Sequence, residues 1–332
     1  MSRFLASLSP VHWIILALGS LMIIYGLIPS GSSTAPDEKV PSVEPSIQEQ
    51  VPQKPEPKPV KKAAPDQLVF EGDFTKDMSG FGTITWPNQQ LYKGDVVTGL
   101  PHGQGHMLFA DGRTYTGSFH HGSLHGQGEV NWPDASYYKG EFINNVVTGR
   151  GDYTASNGDR FEGSFVDEKP HGYGTLTMHA GDLYVGEVRR GIIEGRGTLS
   201  FADGSAYEGE FLGGRMHGQG ERSWPNGNHY RGEFRDDHFH GFGYATFTDS
   251  GTYEGDFSEG KPHGEGRRRW PDGRVYRGLW ENGVQQGPGV ITFANGDWYK
   301  GGFEQGRING VGTCISDGVE STCTFFKGER LD

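Results

Sequence analysis

Six times the chain reads His-Gly-x-Gly, with the histidines at His102, His125, His171, His217, His240 and His263. A histidine set among glycines can serve an oxyanion loop or bind a metal. The first use belongs with a Gly-x-Ser-x-Gly nucleophile elbow between strand and helix, and the chain has none. The second needs ligands that share one ion at about 2.0–2.1 Å. Equivalent histidines in copies two strands apart stand roughly 10 Å apart, at ~4.8 Å per strand, too far to share it. The same position carries Thr148, Glu194, Gln286 and Asn309 in other copies, replacements of quite different chemistry. These histidines therefore read as side chains that close a turn. Walker, His-Glu-x-x-His and paired-cysteine zinc patterns are absent, and each Gly-x-Gly lies between strands rather than ahead of a helix. No catalytic or metal-ligating residue is nominated, no cofactor is expected, and the chain reads as a non-enzyme.

The elements that must position these residues repeat every 23 residues from Tyr92 to Tyr299, in ten copies. One copy, Tyr207 to His229, reads YEGEFLGGRMHGQGERSWPNGNH. Positions three, twelve and fourteen are glycine in all ten copies, and position five is Phe or Trp in eight. Tyr207, Gly209 and Phe211 alternate and so share one face of a strand. A turn at Gly213-Gly214 leads to a second strand, Gly220 to Trp224. Asn226-Gly227, like Asp203-Gly204, Asp272-Gly273 and Asn295-Gly296, then supplies a turn of the type I′ class. Each copy is thus a β-hairpin, marginal alone and stabilised by stacking on its neighbours. Low apolar content, 33%, argues against a large closed core, whereas 12% aromatic residues argue against disorder.

The pattern Tyr-x-Gly-x-(Phe/Trp), then His-Gly-x-Gly, then Asp/Asn-Gly resembles the MORN repeat (membrane occupation and recognition nexus) over residues 92–316, with an irregular leading copy from Phe70 to Trp86. The resemblance implies an all-β fold: an antiparallel hairpin solenoid, a single twisted sheet with an aromatic-lined groove and no catalysis of its own. It also implies scaffolding, homo-oligomeric rods, membrane tethering and, as a further expectation, anionic phospholipid binding. The candidate groove and partner-binding residues are Tyr115, Phe119, Tyr138, Phe142, Tyr207, Phe211, Tyr230, Phe234, Tyr253 and Phe257. The competing reading is that these rings stack on one another as a structural spine. Residues 66–91 are expected to form an N-terminal cap and 317–332 a C-terminal cap.

Ahead of the repeats, Val11 to Ile28 holds 18 residues without formal charge, bracketed by Pro10 and Pro29. It reads as a transmembrane helix, the alternative being a cleaved signal peptide. Arg3 precedes it and Asp37 and Glu38 follow, which places residues 1–10 in the cytoplasm and the repeats outside. A bacterial inner-membrane protein facing the periplasm fits this order, and a eukaryotic lumenal protein would read alike. Residues 29–65 carry nine prolines and no aromatic residue, the composition of a disordered linker. It would reach ~115 Å as polyproline II, or about 35 Å as a flexible coil.

From Asp66 onward 24 Lys and Arg face 37 Asp and Glu, a balance of −13 that argues against nucleic acid as a partner. Arg267, Arg268 and Arg269 form the one conspicuous basic patch, either a headgroup site or a solvated strand end with alternating side chains. A protein partner is the leading expectation, with cell-envelope glycan or anionic phospholipid as the alternative. Cys314 and Cys323 flank Asp317-Gly318 and suit a disulfide outside the cytoplasm; two free thiols would suit the cytosol.

Overall fold

The computed structural model describes residues 67–332. The expected cytoplasmic segment 1–10, anchor 11–28 and linker 29–65 lie outside the described residues, as does Asp66. Among the described residues, no helix is long and apolar enough to cross a membrane.

These residues form one antiparallel sheet of 25 strands. Pairing follows chain order: Val69–Phe74 pairs with Gly80–Thr85, which pairs with Leu91–Val97, and so on to Trp298–Glu304. The sheet does not close. Val69–Phe74 has a strand partner on one side only among the described residues. At the far end Val319–Phe326 pairs with Gly310–Ser316 and with the two-residue strand Glu329–Arg330. The leading copy, expected to be an irregular cap, is a hairpin paired to the next copy, and it departs from the others in having no register shift between its two strands.

The copy beginning at Tyr207 explains the glycines. Its strands, Ala206–Leu212 and Arg215–Ser223, are joined by Gly213 and Gly214 at φ 59° and 81°. Positive φ at both central residues defines the type I′ turn that matches the twist of a hairpin. Asn144-Asn145 and Asp236-Asp237 occupy the same place with the same sign. The Asn226-Gly227 turn is different, which corrects the type I′ assignment made for it. Only Gly227 has positive φ, its N–H donates to the Trp224 carbonyl, and the Asn226 side chain accepts from the Asn228 N–H. This is a type I turn closed by a left-handed glycine.

Between the two strands the register slips. Gly209 faces Gly220, yet the next residue, Glu210, faces His217. Gly218, at φ 61°, takes up the slack as a bulge. Gly209 and Gly220 serve another purpose: a Cβ on either would lie 2.4–2.5 Å from the Tyr207 ring or hydroxyl. The ring lies flat across the paired backbones, and its hydroxyl donates to the Glu210 carbonyl at 2.9 Å, beside the slip.

The sheet has an inner and an outer face. Tyr207 meets Phe211 edge-on at 5.1 Å and, across the copy boundary, Phe234 at 4.8 Å. Tyr230 continues to Phe257 and Tyr253 to Trp280, so edge-to-face contacts link successive copies. An apolar residue from the start of the second strand fills in beside them in nine of the ten copies, Gln285 being the exception; Leu124, Val147, Ile193 and Met216 are at most 4% exposed. The inner face is thus a continuous packed core. This corrects the expectation of an open, ring-lined groove: the rings and the apolar side chains packed beside them fill it.

Candidate interaction surface

All ten rings nominated from sequence sit in that core. Tyr115, Phe119, Tyr138, Phe142, Tyr207, Phe211, Tyr230, Phe234, Tyr253 and Phe257 are each at most 4% exposed. The Tyr115, Tyr207, Tyr230 and Tyr253 hydroxyls donate to carbonyls three residues onward at 2.9 Å. Burial raises the tyrosine pKa values, with Tyr92 and Tyr276 pushed up to about 12. These rings have neither open faces nor free hydroxyls to offer a ligand.

The basic run splits between faces. Arg268 points inward, with its guanidinium 5.8 Å from the Phe247 ring centre and 5.4 Å from Trp270. Desolvation lowers its pKa, yet it stays a cation at any ordinary pH. Arg222 repeats the arrangement 46 residues earlier, between Phe201 and Trp224 at 5.1 and 4.8 Å. Arg267 and Arg269 point outward and are exposed. The expectation of a three-arginine patch is therefore corrected to two on one face and one in the core, as strand alternation requires.

Arg267 joins a set that the sequence alone did not reveal. On the outer face Arg231 pairs with Tyr244, Tyr244 with Glu254, Glu254 with Arg267, and Arg267 with Arg277. The row continues through Val290 to Lys300. Directly opposed side chains on such a ladder have Cβ atoms about 4.5–5.5 Å apart. Phe242, two residues before Tyr244 on the same face, is 62% exposed and Tyr244 is 43% exposed. Among the described residues, no ion pair engages Arg231, Arg267, Arg277 or Lys300. The signal was present in the alternation of Phe242 and Tyr244 about Gly243. Finding the cross-strand partners required the register.

The turn-edge histidines also find their places. The Nδ1 of His102 accepts from the His121 N–H at 3.5 Å. Glu194, Gln286 and Asn309 accept from the Gly213, Gln305 and Lys327 N–H groups at 3.4, 3.1 and 3.1 Å. In these four copies the position supplies an acceptor that holds the next turn, whereas the Nδ1 atoms of His125 and His217 are buried without a hydrogen-bond partner. Cys314 and Cys323 form a disulfide with their Cα atoms 5.9 Å apart.

The MORN repeat profile matches eleven segments, 70–90, 92–112, 115–137, 138–160, 161–182, 184–206, 207–229, 230–252, 253–273, 276–298 and 299–318. The chain belongs to the MORN repeat family. No curated protein matches it. Among solved structures it is similar to the TCP domain of Drosophila melanogaster SAS-4 in complex with a proline-rich motif of Ana2. Identity is 14%, coverage 48% of this chain and 89% of that one, and the TM-score 0.30. It is also similar to the TCP10 domain of Danio rerio CPAP in complex with a STIL peptide. There identity is 13%, coverage 70% and 93%, and the TM-score 0.29. Likeness at this level carries no argument about function.

Proposed function

We propose that the chain is a non-enzymatic, membrane-anchored scaffold whose rod of repeats holds a protein partner on the outer face of its C-terminal half. The observation that carries this reading is the registered row Arg231, Tyr244, Glu254, Arg267 and Arg277, with Phe242 beside it. Tyr and Arg supply much of the binding energy in protein interfaces. Two like charges directly opposed across strands are destabilising, and a partner's carboxylates would relieve the Arg267–Arg277 pair. On the inner face the tyrosines, Arg113, Arg222 and Arg268 have pKa values shifted chiefly by their burial in packing, which favours a structural role over catalysis. A second copy of the chain is a further partner class, since Val69–Phe74 keeps one edge unpaired among the described residues.

The anchor reading of Val11–Ile28 rests on its length and lack of charge. The Cys314–Cys323 disulfide supports an oxidising compartment, outside the cytoplasm, with a bacterial periplasm the best fit. Thiol labelling of intact cells checks this: labelling that requires reductant supports export, and ready labelling without it after lysis refutes it.

The partner reading is tested by quantitative copurification with the full chain, Phe242→Ser/Tyr244→Ser, and Arg267→Glu/Arg277→Glu. All four residues are exposed, so the core is left intact. A defined protein should be lost at least tenfold from both variants and retained by a Glu162→Lys control. Unchanged recovery in both would remove the outer row as the site. Anionic phospholipid is the second reading, favoured by the same arginine pair and disfavoured by the overall charge. Flotation with anionic liposomes at two salt concentrations tests it. Glycan remains an alternative on the half-buried Trp224 and Trp270 rings beside Arg222 and Arg268, to be tested by polymer pull-down.

A further inference from the structure

Near the N-terminal end of the solenoid, four imidazoles gather where the repeat alone would put two. His102 and His125 occupy the turn-closing position of successive copies. The turn between them brings in His120 and His121, which have no histidine counterparts in the other hairpin turns. Ring centres are 5.3 Å apart for His102 and His120, 5.2 Å for His102 and His121, and 4.4 Å for His120 and His121. His125 lies 5.5 Å from His120. The Nδ1 of His125 is buried without a hydrogen-bond partner.

Two imidazoles bound tetrahedrally to one zinc-sized ion, at about 2.0–2.1 Å per nitrogen, hold their ring centres roughly 5 Å apart. The spacing within the His102, His120 and His121 triangle is of that size. The distance objection to equivalent histidines applies to His102 and His125 alone; the turn residues bridge the gap. Among the described residues, no group of three or more His, Cys, Asp or Glu side chains is already arranged to hold a metal ion. The ring centre, however, lies close to the Cβ–Cγ axis. Rotation about that bond redirects both nitrogens and leaves the centre nearly where it was, so ring spacing is the stricter requirement. His120 and His121 are exposed and free to turn.

We propose that His102, His120 and His121, with His125 or water as the fourth ligand, form a site for a divalent transition-metal ion that favours imidazole, such as zinc. The ion would tie the strand Leu100–Leu108 to the turn that follows Thr114–His120, a cross-link between successive copies. Each neutral imidazole keeps its one ring proton on the nitrogen away from the ion and donates the lone pair of the other, so binding breaks no covalent bond and requires no redox step and no co-reactant.

The test is titration of the chelator-stripped, detergent-solubilised full chain with Co2+, followed by displacement with Zn2+. The control variant is His120→Ile/His121→Asn, which copies Ile143 and Asn144 from the turn of the next copy. Asn144 already adopts positive φ there, at 50°, as His121 does at 47°, so the variant keeps the turn. Wild type should take up one Co2+ per chain with the visible absorption of a tetrahedral site, bleached by Zn2+. The variant should bind at least ~10-fold more weakly, the scale on which metal sites respond to altered surroundings. His217→Ala, which removes an imidazole with the same unpartnered Nδ1 from a copy whose turn positions hold Leu212 and Gly213 in place of histidines, should leave the signal unchanged. Equal Co2+ uptake by wild type and the turn variant, or no stoichiometric uptake by wild type, would overturn the assignment.

Discussion

Tyr207 shows how one side chain can determine four others. Its ring requires glycine at 209 and 220, its edge meets Phe211 and Phe234, and its hydroxyl satisfies a carbonyl beside the bulge that Gly218 permits. Phe161 fills the same position at 1% exposure, which shows that the ring matters more than the hydroxyl. Tyr207→Phe should therefore cost only about 1 kcal/mol, the net worth of a typical hydrogen bond. Gly220→Ala places a methyl carbon 2.5 Å from the ring, and overpacking of this kind typically costs about 1–3 kcal/mol. Denaturant midpoints of the two variants would compare them, and a larger loss from Tyr207→Phe would contradict this ordering.

At the scale of the element, the hairpins and their period were legible in the sequence because each copy repeats the same strand alternation and turn glycines. Two things were not. Asn226-Gly227 and Gly213-Gly214 both allow positive φ, and only the structure separates the type I′ turn from the type I turn with a left-handed glycine. The outer row was hidden for another reason: Arg231, Tyr244, Arg267 and Arg277 occupy positions that vary between copies and so stand outside the repeat pattern. Burial of the nominated rings also escaped, since alternation tells which residues share a face but not whether that face meets water. The hairpin of Gly310–Ser316 with Val319–Phe326 pairs on its far side only with the two-residue strand Glu329–Arg330 among the described residues, and the Cys314–Cys323 disulfide holds its two strands together. Cys314→Ser/Cys323→Ser should lower its local stability by ~2–3 kcal/mol, the scale for closing so short a loop. Hydrogen exchange should quicken in 310–326 and stay unchanged in the strands before Tyr276. Uniform loss of protection would mean that the disulfide supports the whole solenoid.

For the whole molecule, the aligned tyrosines make stability depend on pH from the alkaline side. Folded Tyr92 and Tyr276 hold their protons to about 12, whereas an unfolded tyrosine begins to ionise near 10.0. The raised values of Tyr115, Tyr138, Tyr184, Tyr207, Tyr230 and Tyr253 add to the effect. The contribution is complete below pH 10 and is lost as pH rises from there through the folded values, because only the unfolded chain releases the protons early. Ultraviolet titration with parallel circular dichroism should show the buried tyrosines ionising only together with unfolding. Buried tyrosines that ionise while the sheet persists would show that the core admits water.

Chain-order pairing also sets how the rod would respond to a pull between its two ends. The backbone hydrogen bonds run along the stacking direction, perpendicular to the strands, so such a load opens them in sequence rather than shearing many at once. The chain would yield hairpin by hairpin from a free end. Each released copy of 23 residues would pay out roughly 75 Å of extended chain, at about 3.3 Å per residue. The disulfide near Val319–Phe326 limits how far peeling can begin there, leaving Val69–Phe74, which pairs on one edge only among the described residues, as the weaker start. Fixed at one end and loaded at the other, the solenoid would be an extensible tether that lengthens in steps.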